Sequence, residues 1–212
     1  MNNAKNVINY YVLCNRLKDV IRTGWKDWNV KRERVESVAE HIYGVQMLAI
    51  AMKSEYQYNI DISKVIMMLA VHELEEIVIG DLTQFQISKE EKIKKGHEAI
   101  HKVLKDLLDK NYIIDLIYEF DERKTKEALF AYQCDKLECD IQSKLYDLEN
   151  CVDLNDQSNN KTFNNKEVQE LLNKEYSFSQ MWLTFGQNKY NYDKNFMEVS
   201  NYVINNNIKE SN

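Results

Sequence analysis

The chain has 212 residues, a length that predicts one domain, or at most one domain with a small appendage. Its formal net charge of −6 argues against a nucleic-acid backbone as the main partner, because no basic face dominates. The first residues form no apolar signal region, and no run approaches the roughly 18 apolar residues of a membrane span. The four cysteines form no Cys-x-x-Cys pair and are expected to be reduced. These features predict a cytoplasmic protein without a membrane or nucleic-acid partner.

Residues that break helices are rare, since proline is absent and glycine occurs only five times. Alternating runs of Val, Ile and Thr, which are typical of strands, are also missing. The composition therefore predicts an all-α fold.

The first predicted helix ends near Thr23-Gly24 and carries apolar residues at three- and four-residue spacing on one face: Val7, Tyr11, Cys14, Leu17 and Ile21. No regular pattern follows until Ser37 and Glu40, which match the capping box of a helix start. His41 interrupts the apolar stripe of the helix that this box opens. Its side chain is therefore expected to point inward.

A third helix is predicted over residues 65–79, closed by Gly80 in a C-terminal capping position. It is apolar almost all the way round, which is typical of a helix buried in the centre of a domain. His72 and Glu73 lie in its middle, where a charge is costly unless it has a partner. A metal ion is the strongest such partner. The alternative is that Glu73 and Glu75 lie at a solvent edge and that His72 is a hydrogen-bonded core residue.

The second half of the chain continues the helical pattern. Ser88 and Glu91 match another capping box, and the charges of residues 89–95 are interpreted as a solvated helix start. Helices follow around residues 113–120 and 125–149, and Asp135 lies on the inward stripe of the latter. The predicted organisation is a single domain, 1–212, with a core of about 5–150, a polar loop at 151–166 and accessory C-terminal helices at 167–212.

Three inward polar positions thus lie on three different predicted helices: His41, the pair His72-Glu73, and Asp135. Two imidazoles and two carboxylates can enclose one divalent ion and leave positions for water and substrate, as a catalytic metal requires.

This order of residues resembles the HD-domain phosphohydrolases, most closely the branch of the 5′-deoxynucleotidases. The resemblance extends from about Leu17 to the end of the Asp135 helix and is carried by Arg22-Thr23-Gly24-Trp25, Glu36–His41, Val71–Asp81 and Cys134–Glu138.

The resemblance implies an HD-domain helical bundle with a metal site in its core. It implies an enzyme that removes the 5′-phosphate from nucleoside monophosphates, preferably deoxynucleotides, and that forms a homodimer. By matched position, one divalent ion of the Co, Mn, Fe, Ni or Zn class would be bound by His41, His72, Glu73 and Asp135. Glu76 falls on the family's proton-transfer glutamate. The positions that match substrate contacts are Arg22, Asp81 and Trp25.

One residue departs from the family pattern, because Glu73 stands where the family has Asp. The extra methylene moves the carboxylate by more than about an ångström, while metal–ligand distances vary by only about 0.2 Å. Since the other motif residues are present, we expect activity to be retained. Two alternatives stay open: a hydrolase of another phosphate ester, such as a cyclic nucleotide, a nucleoside triphosphate or an alarmone, and a catalytically impaired nucleotide-binding protein.

Overall fold

The structure, a computed structural model, describes residues 3–83 and 85–209. Among these residues the prediction of an all-α fold is confirmed, and the one extended pairing is an isolated antiparallel bridge between Ile21 and Ser37. The helices are α1 (Asn3–Cys14), the 3₁₀ helix Asn15–Lys18, α2 (Thr23–Asp27), α3 (Val38–Tyr56), α4 (Ile62–Val71), α5 (Glu76–Ile79), α6 (Lys89–Val103), α7 (Lys110–Glu122), α8 (Lys126–Leu148), α9 (Lys166–Leu172), α10 (Phe178–Lys189) and α11 (Lys194–Asn205). No helix in the described part of the chain is long and apolar enough to cross a membrane.

The first compact unit comprises Met1–Thr23 and Glu36–Tyr132. In this unit α4 packs against α3 and α7, while α6 packs against α5 and α7. These helices carry apolar side chains with little or no exposed area, among them Val45, Ala49, Val65, Met68, Leu69, Ile100 and Ile117. Burial of such side chains is the main favourable contribution to folding, at roughly 25 cal/mol per Å² of apolar area.

The second compact unit comprises Gly24–Val35 and Gln133–Asn212, and in it α10 packs against α9 and α11. Its core is aromatic: the Trp25 ring lies 4.9 Å from that of Trp182, and the Trp28 ring lies 5.0 Å from that of Phe178. The polar segment 151–166 belongs to this unit and is held by hydrogen bonds, since Gln157 Nε2 donates to the Trp28 carbonyl at 3.0 Å. The single-domain organisation of the chain stays a prediction.

The capping signals place two helix starts correctly. Ser37 Oγ accepts from the Glu40 backbone N–H, and the Ser37 N–H donates to Glu40 Oε2 at 2.9 Å, so the capping box is complete. α3 therefore begins at Val38, with His41 in its first turn. α6 begins at Lys89, where the Ser88 hydroxyl accepts from Glu91 N. Gly80 ends α5 with φ +74°, a left-handed conformation that favours glycine.

Two predicted helices are wrong in extent. The first does not reach Gly24, because α1 ends at Cys14. On its predicted apolar face Val7 is 59% and Tyr11 62% exposed, whereas Leu17, in the 3₁₀ helix that follows, is buried. The third is interrupted, because residues 72–75 form turns between α4 and α5. In these turns Glu76 N donates to the Glu73 carbonyl at 3.2 Å, an i→i+3 bond that tightens the backbone.

Candidate metal centre

Two buried imidazoles lie side by side in the first unit. His41 is fully buried in the first turn of α3, and His72, which is 3% exposed, caps the C-terminus of α4. Their ring centroids are 5.8 Å apart. Nδ1 of His72 lies 2.8 Å from the Leu69 carbonyl oxygen, so a proton on Nδ1 is donated to that oxygen. This tautomer leaves the lone pair on Nε2, the usual arrangement of a metal-binding histidine.

Glu73 brings a carboxylate to the two imidazoles. Each of the three side chains offers a ligand atom, and these atoms lie within 4.8 Å of one another. Glu73 Oε1 is 3.6 Å from His72 Nε2. Nitrogen and carboxylate ligands lie about 2.0–2.2 Å from a transition-metal ion, so ligand atoms that share one ion are separated by no more than about 4.4 Å. This spacing and this donor set fit a divalent metal with little adjustment.

The same turn places two further carboxylates in the interior. The Glu76 side chain has no exposed area, and Oε2 of both Glu75 and Glu76 is buried without a donor among the described residues. Burial, reinforced by the Glu73 carboxylate, raises the pKa of Glu75 and Glu76 well above the ordinary value. Asp81 raises the pKa of Glu76 further.

Two cations partly compensate these acids. Arg22 Nη1 lies 3.6 Å from Glu73 Oε1 and 4.0 Å from Asp81 Oδ1. Lys92 Nζ lies 3.1 Å from Glu76 Oε1. With all four acids ionised, the group nevertheless contains two more carboxylates than cations, and buried charge of one sign is costly. The raised pKa of Glu75 and Glu76 expresses this cost, which a proton or a bound cation relieves. A divalent cation would balance this excess, so the charge of the site agrees with its donor chemistry.

Backbone contacts fix where Arg22 and Asp81 lie. The Arg22 N–H donates to the Glu36 carbonyl at 3.0 Å, next to the Ile21–Ser37 bridge. Thr23 Oγ1 donates to the Asp81 carbonyl at 2.6 Å, which ties the segment after α5 to the chain beside Arg22. The structure thus brings six of the residues singled out from the sequence to one side of the segment 72–76 or into it: Arg22, His41, His72, Glu73, Glu76 and Asp81.

Two other predicted site residues belong to the second unit. Asp135 on α8 is 2% exposed, and its Oδ2 lies 2.8 Å from Lys136 Nζ. Trp25 is also 2% exposed and packs in the aromatic core, with its ring 5.1 Å from that of Tyr146. Metal binding by Asp135 and a sugar contact by Trp25 stay predictions.

Sequence reasoning missed Lys92, which it treated as part of a solvated helix start. A signal was present, because Lys92 precedes Gly96, Ala99 and Val103 by four, seven and eleven residues and so shares the buried face of α6. Gly96, on the same face, also favours the close packing of α6 against the acidic turn. A Cβ at this position would lie 3.2 Å from Glu75 Cγ, so glycine lets α6 approach the acidic turn closely.

Comparisons with known proteins agree with this geometry. The family model described as "HD domain" matches residues 14–176. The chain is 34% identical over 162 residues to the 5′-deoxynucleotidase HDDC2 of Dictyostelium discoideum. The matched region covers 70% of this chain and 84% of that protein. It is 30% identical to human 5′-deoxynucleotidase HDDC2, over 69% of this chain and 71% of the relative. A crystal structure from Magnetospirillum magnetotacticum, described as a "predicted metal-dependent phosphohydrolase", superposes with a TM-score of 0.63 at 18% identity, over 95% of this chain and 91% of that one. That last likeness concerns the fold alone.

Proposed function

The chain belongs to the HD-domain family and is a nucleotide phosphohydrolase, and on this premise we propose that it removes the 5′-phosphate from deoxynucleoside monophosphates. The observation that carries the proposal is the buried group of His41, His72 and Glu73 with Glu76 on the same turn. The activity named for the two relatives supports the choice of substrate.

The proposed metal site has four ligands, His41, His72, Glu73 and Asp135, and holds one divalent ion of the Co, Mn, Fe, Ni or Zn class. The first three are supported by their mutual distances, and Asp135 by its buried carboxylate and by the family resemblance. When bound, such an ion polarises a phosphoryl oxygen and lowers the pKa of a coordinated water.

The chain's own residues then supply the remaining chemistry. Glu76 accepts a proton from the attacking water or returns one to the leaving 5′-oxygen, a role suited to a buried carboxylate four residues from His72. The planar guanidinium of Arg22 holds phosphate oxygens. Asp81, which lies beside Arg22, contacts the nucleoside, and Trp25 borders the sugar.

The test is release of inorganic phosphate from the four deoxynucleoside monophosphates, their ribose counterparts, a cyclic nucleotide and a nucleoside triphosphate. Protein treated with EDTA is reloaded with Co²⁺, Mn²⁺ or Zn²⁺. We expect release chiefly from the deoxynucleoside monophosphates, loss with EDTA and recovery with metal. A Glu76→Gln protein purified in parallel controls for contaminating phosphatases. Preference for the cyclic nucleotide or the triphosphate, or no release with any metal, would overturn the proposal. The homodimer and the cytoplasmic location stay predictions.

A further inference from the structure

Lys92 is a cation enclosed by acidic side chains that the proposed chemistry does not yet use. Its side chain is 29% exposed, and its Nζ lies 3.1 Å from Oε1 of the fully buried Glu76. Burial by itself would lower the pKa of Lys92, but the charges of Glu73, Glu76, Glu75 and Asp81 outweigh it and raise the pKa. Lys92 is therefore a permanent cation at the acidic turn.

The contact treats the two oxygens of Glu76 differently. Oε1 faces the Lys92 ammonium, whereas Oε2 is buried and has no donor among the residues that the structure describes. A carboxylate that is held by one oxygen cannot rotate without breaking that contact, and an ion-paired hydrogen bond is stronger than a neutral one. The oxygen that remains is the one available for proton transfer.

The close packing of helix α6 brings the Lys92 ammonium to the acidic turn. Lys92 lies in the first turns of α6, on the same face as Gly96. Because Gly96 has no side chain, the Glu75 side chain can lie against the helix at this position. Lys95, only three residues later, pairs with Glu91 at 2.8 Å, but that pair is about half exposed on both sides. α6 therefore carries one enclosed and one solvent-facing lysine–glutamate contact.

We propose that Lys92 is a positioning residue for Glu76, holding Oε1 so that Oε2 faces the reacting groups. The proposal rests on the proposed function, because it assigns Lys92 a part in the proton transfer by Glu76. It assigns the lysine no contact with the substrate phosphate. A phosphate-binding lysine would act on substrate affinity, and a positioning lysine acts on turnover, so kinetics separate the two.

The kinetic test uses dAMP and saturating Mn²⁺ with Lys92→Met, Lys92→Arg and the control Lys95→Met. Lys92→Met is expected to lower kcat about tenfold to a hundredfold, part of the usual contribution of general acid–base catalysis, with KM changed by less than about twofold. Lys92→Arg keeps the charge, so its loss of kcat, expressed as log kcat, should be at most about two thirds of the loss in Lys92→Met. Lys95→Met should behave as wild type. A raised KM with unchanged kcat, or an arginine variant as poor as the methionine variant, would overturn the proposal.

A double-mutant cycle tests whether Lys92 acts through Glu76. In a Glu76→Gln background, Lys92→Met should change kcat by less than about twofold, because the carboxylate that the lysine holds is gone. Multiplicative losses in the double variant would mean that the two side chains act independently and would overturn the proposal. Should Lys92→Met fail to fold, Lys92→Gln replaces it, since it keeps a donor and removes the charge.

A second readout does not depend on activity. Urea unfolding of the metal-free proteins is expected to show a lower midpoint for Lys92→Met in the wild-type background and a smaller shift, or none, in the Glu76→Gln background. Equal shifts in both backgrounds would contradict the contact itself. Failure of the wild-type protein to release phosphate would instead contradict the proposed function. The unfolding measurements would still test the contact between Lys92 and Glu76, because they do not depend on activity.

Discussion

Two fully buried carboxylic acids, Glu76 in the first unit and Asp140 in the second, have very different neighbours. Glu76 lies on a turn with two other acids and contacts the Lys92 ammonium. Asp140 accepts a hydrogen bond from Tyr192 Oη at 2.8 Å and fills the space that Gly186 leaves in α10. Burial alone therefore does not identify a functional acid. The direct contacts separate the two acids, because Glu76 contacts an ammonium, whereas Asp140 accepts from a phenol and packs against a glycine.

The electrostatics of the two acids differ in the same way. Burial is the main cause that raises the pKa of both side chains well above the ordinary range. A lysine opposes the rise in pKa at both sites, Lys92 for Glu76 and Lys136 for Asp140. The pKa of Glu76 is raised further by the carboxylates of Glu73 and Asp81, whereas the pKa of Asp140 is lowered by the hydrogen bond from Tyr192. The first site accumulates negative charge that a cation can balance, and the second favours one neutral acid.

The largest effect is expected where the acidic turn meets the metal. Glu73→Ala should lower metal affinity at least about a hundredfold, more than the loss of a side chain that only orients a ligand, and activity should fall with it. Glu73→Asp should keep activity with an altered metal preference, because ligand reach helps to decide which ion fits. Metal content and phosphate release, measured together, check both variants. Full metal occupancy in the alanine variant would remove Glu73 from the ligand set.

Gly186→Ala tests the packing role of the second acid. The added Cβ would overlap the Asp140 carboxylate, so the free energy of unfolding should fall by about 1–3 kcal/mol, the usual cost of overpacking. The higher helix propensity of alanine offsets part of this loss. Gly24→Ala is the matched control, since its Cβ would meet only the Trp182 ring at an ordinary 3.7 Å. Urea unfolding measures both, and similar stabilities would contradict close packing at Gly186.

Asp140→Asn should change how stability depends on pH. Because the pKa of Asp140 is raised in the folded state, the folded protein keeps the proton at pH values where the unfolded chain has lost it. Its contribution to stability is therefore present at low pH and is lost as pH rises above about 3.9, at up to about 1.4 kcal/mol per pH unit. The asparagine variant lacks this loss. Unfolding curves from about pH 5 to about pH 7 should diverge from wild type, and parallel profiles would contradict the assignment.

The smallest effect is expected at Lys95. Its pair with Glu91 is about half exposed, so Lys95→Met should change stability by less than about 0.5 kcal/mol. A thermal melt with a matched wild-type sample checks this. A larger loss would mean that ion pairs along α6 stabilise the fold in general and that the Lys92 contact is not special.

The sequence predicted the helical class, the starts of α3 and α6 and the inward direction of His41, because capping and helical periodicity are local properties. It did not predict the break at residues 72–75, since an apolar stretch with few helix breakers reads as one continuous helix. Lys92 was missed for a related reason. Its pairing with Glu76 joins two helices, and only the packing of α6 against α5 turns a charged helix start into an enclosed contact.

The measurement that most directly tests the distinction between the two acids is a side-by-side assay of Glu76→Gln and Asp140→Asn. Both substitutions replace one buried carboxyl group with an amide of nearly the same shape. Phosphate release from dAMP with saturating Mn²⁺, below the melting temperature of both variants, should fall by about a hundredfold or more for Glu76→Gln, with its metal retained, and stay within about threefold of wild type for Asp140→Asn. Near-normal turnover by Glu76→Gln, or an equal loss in both variants, would contradict the account.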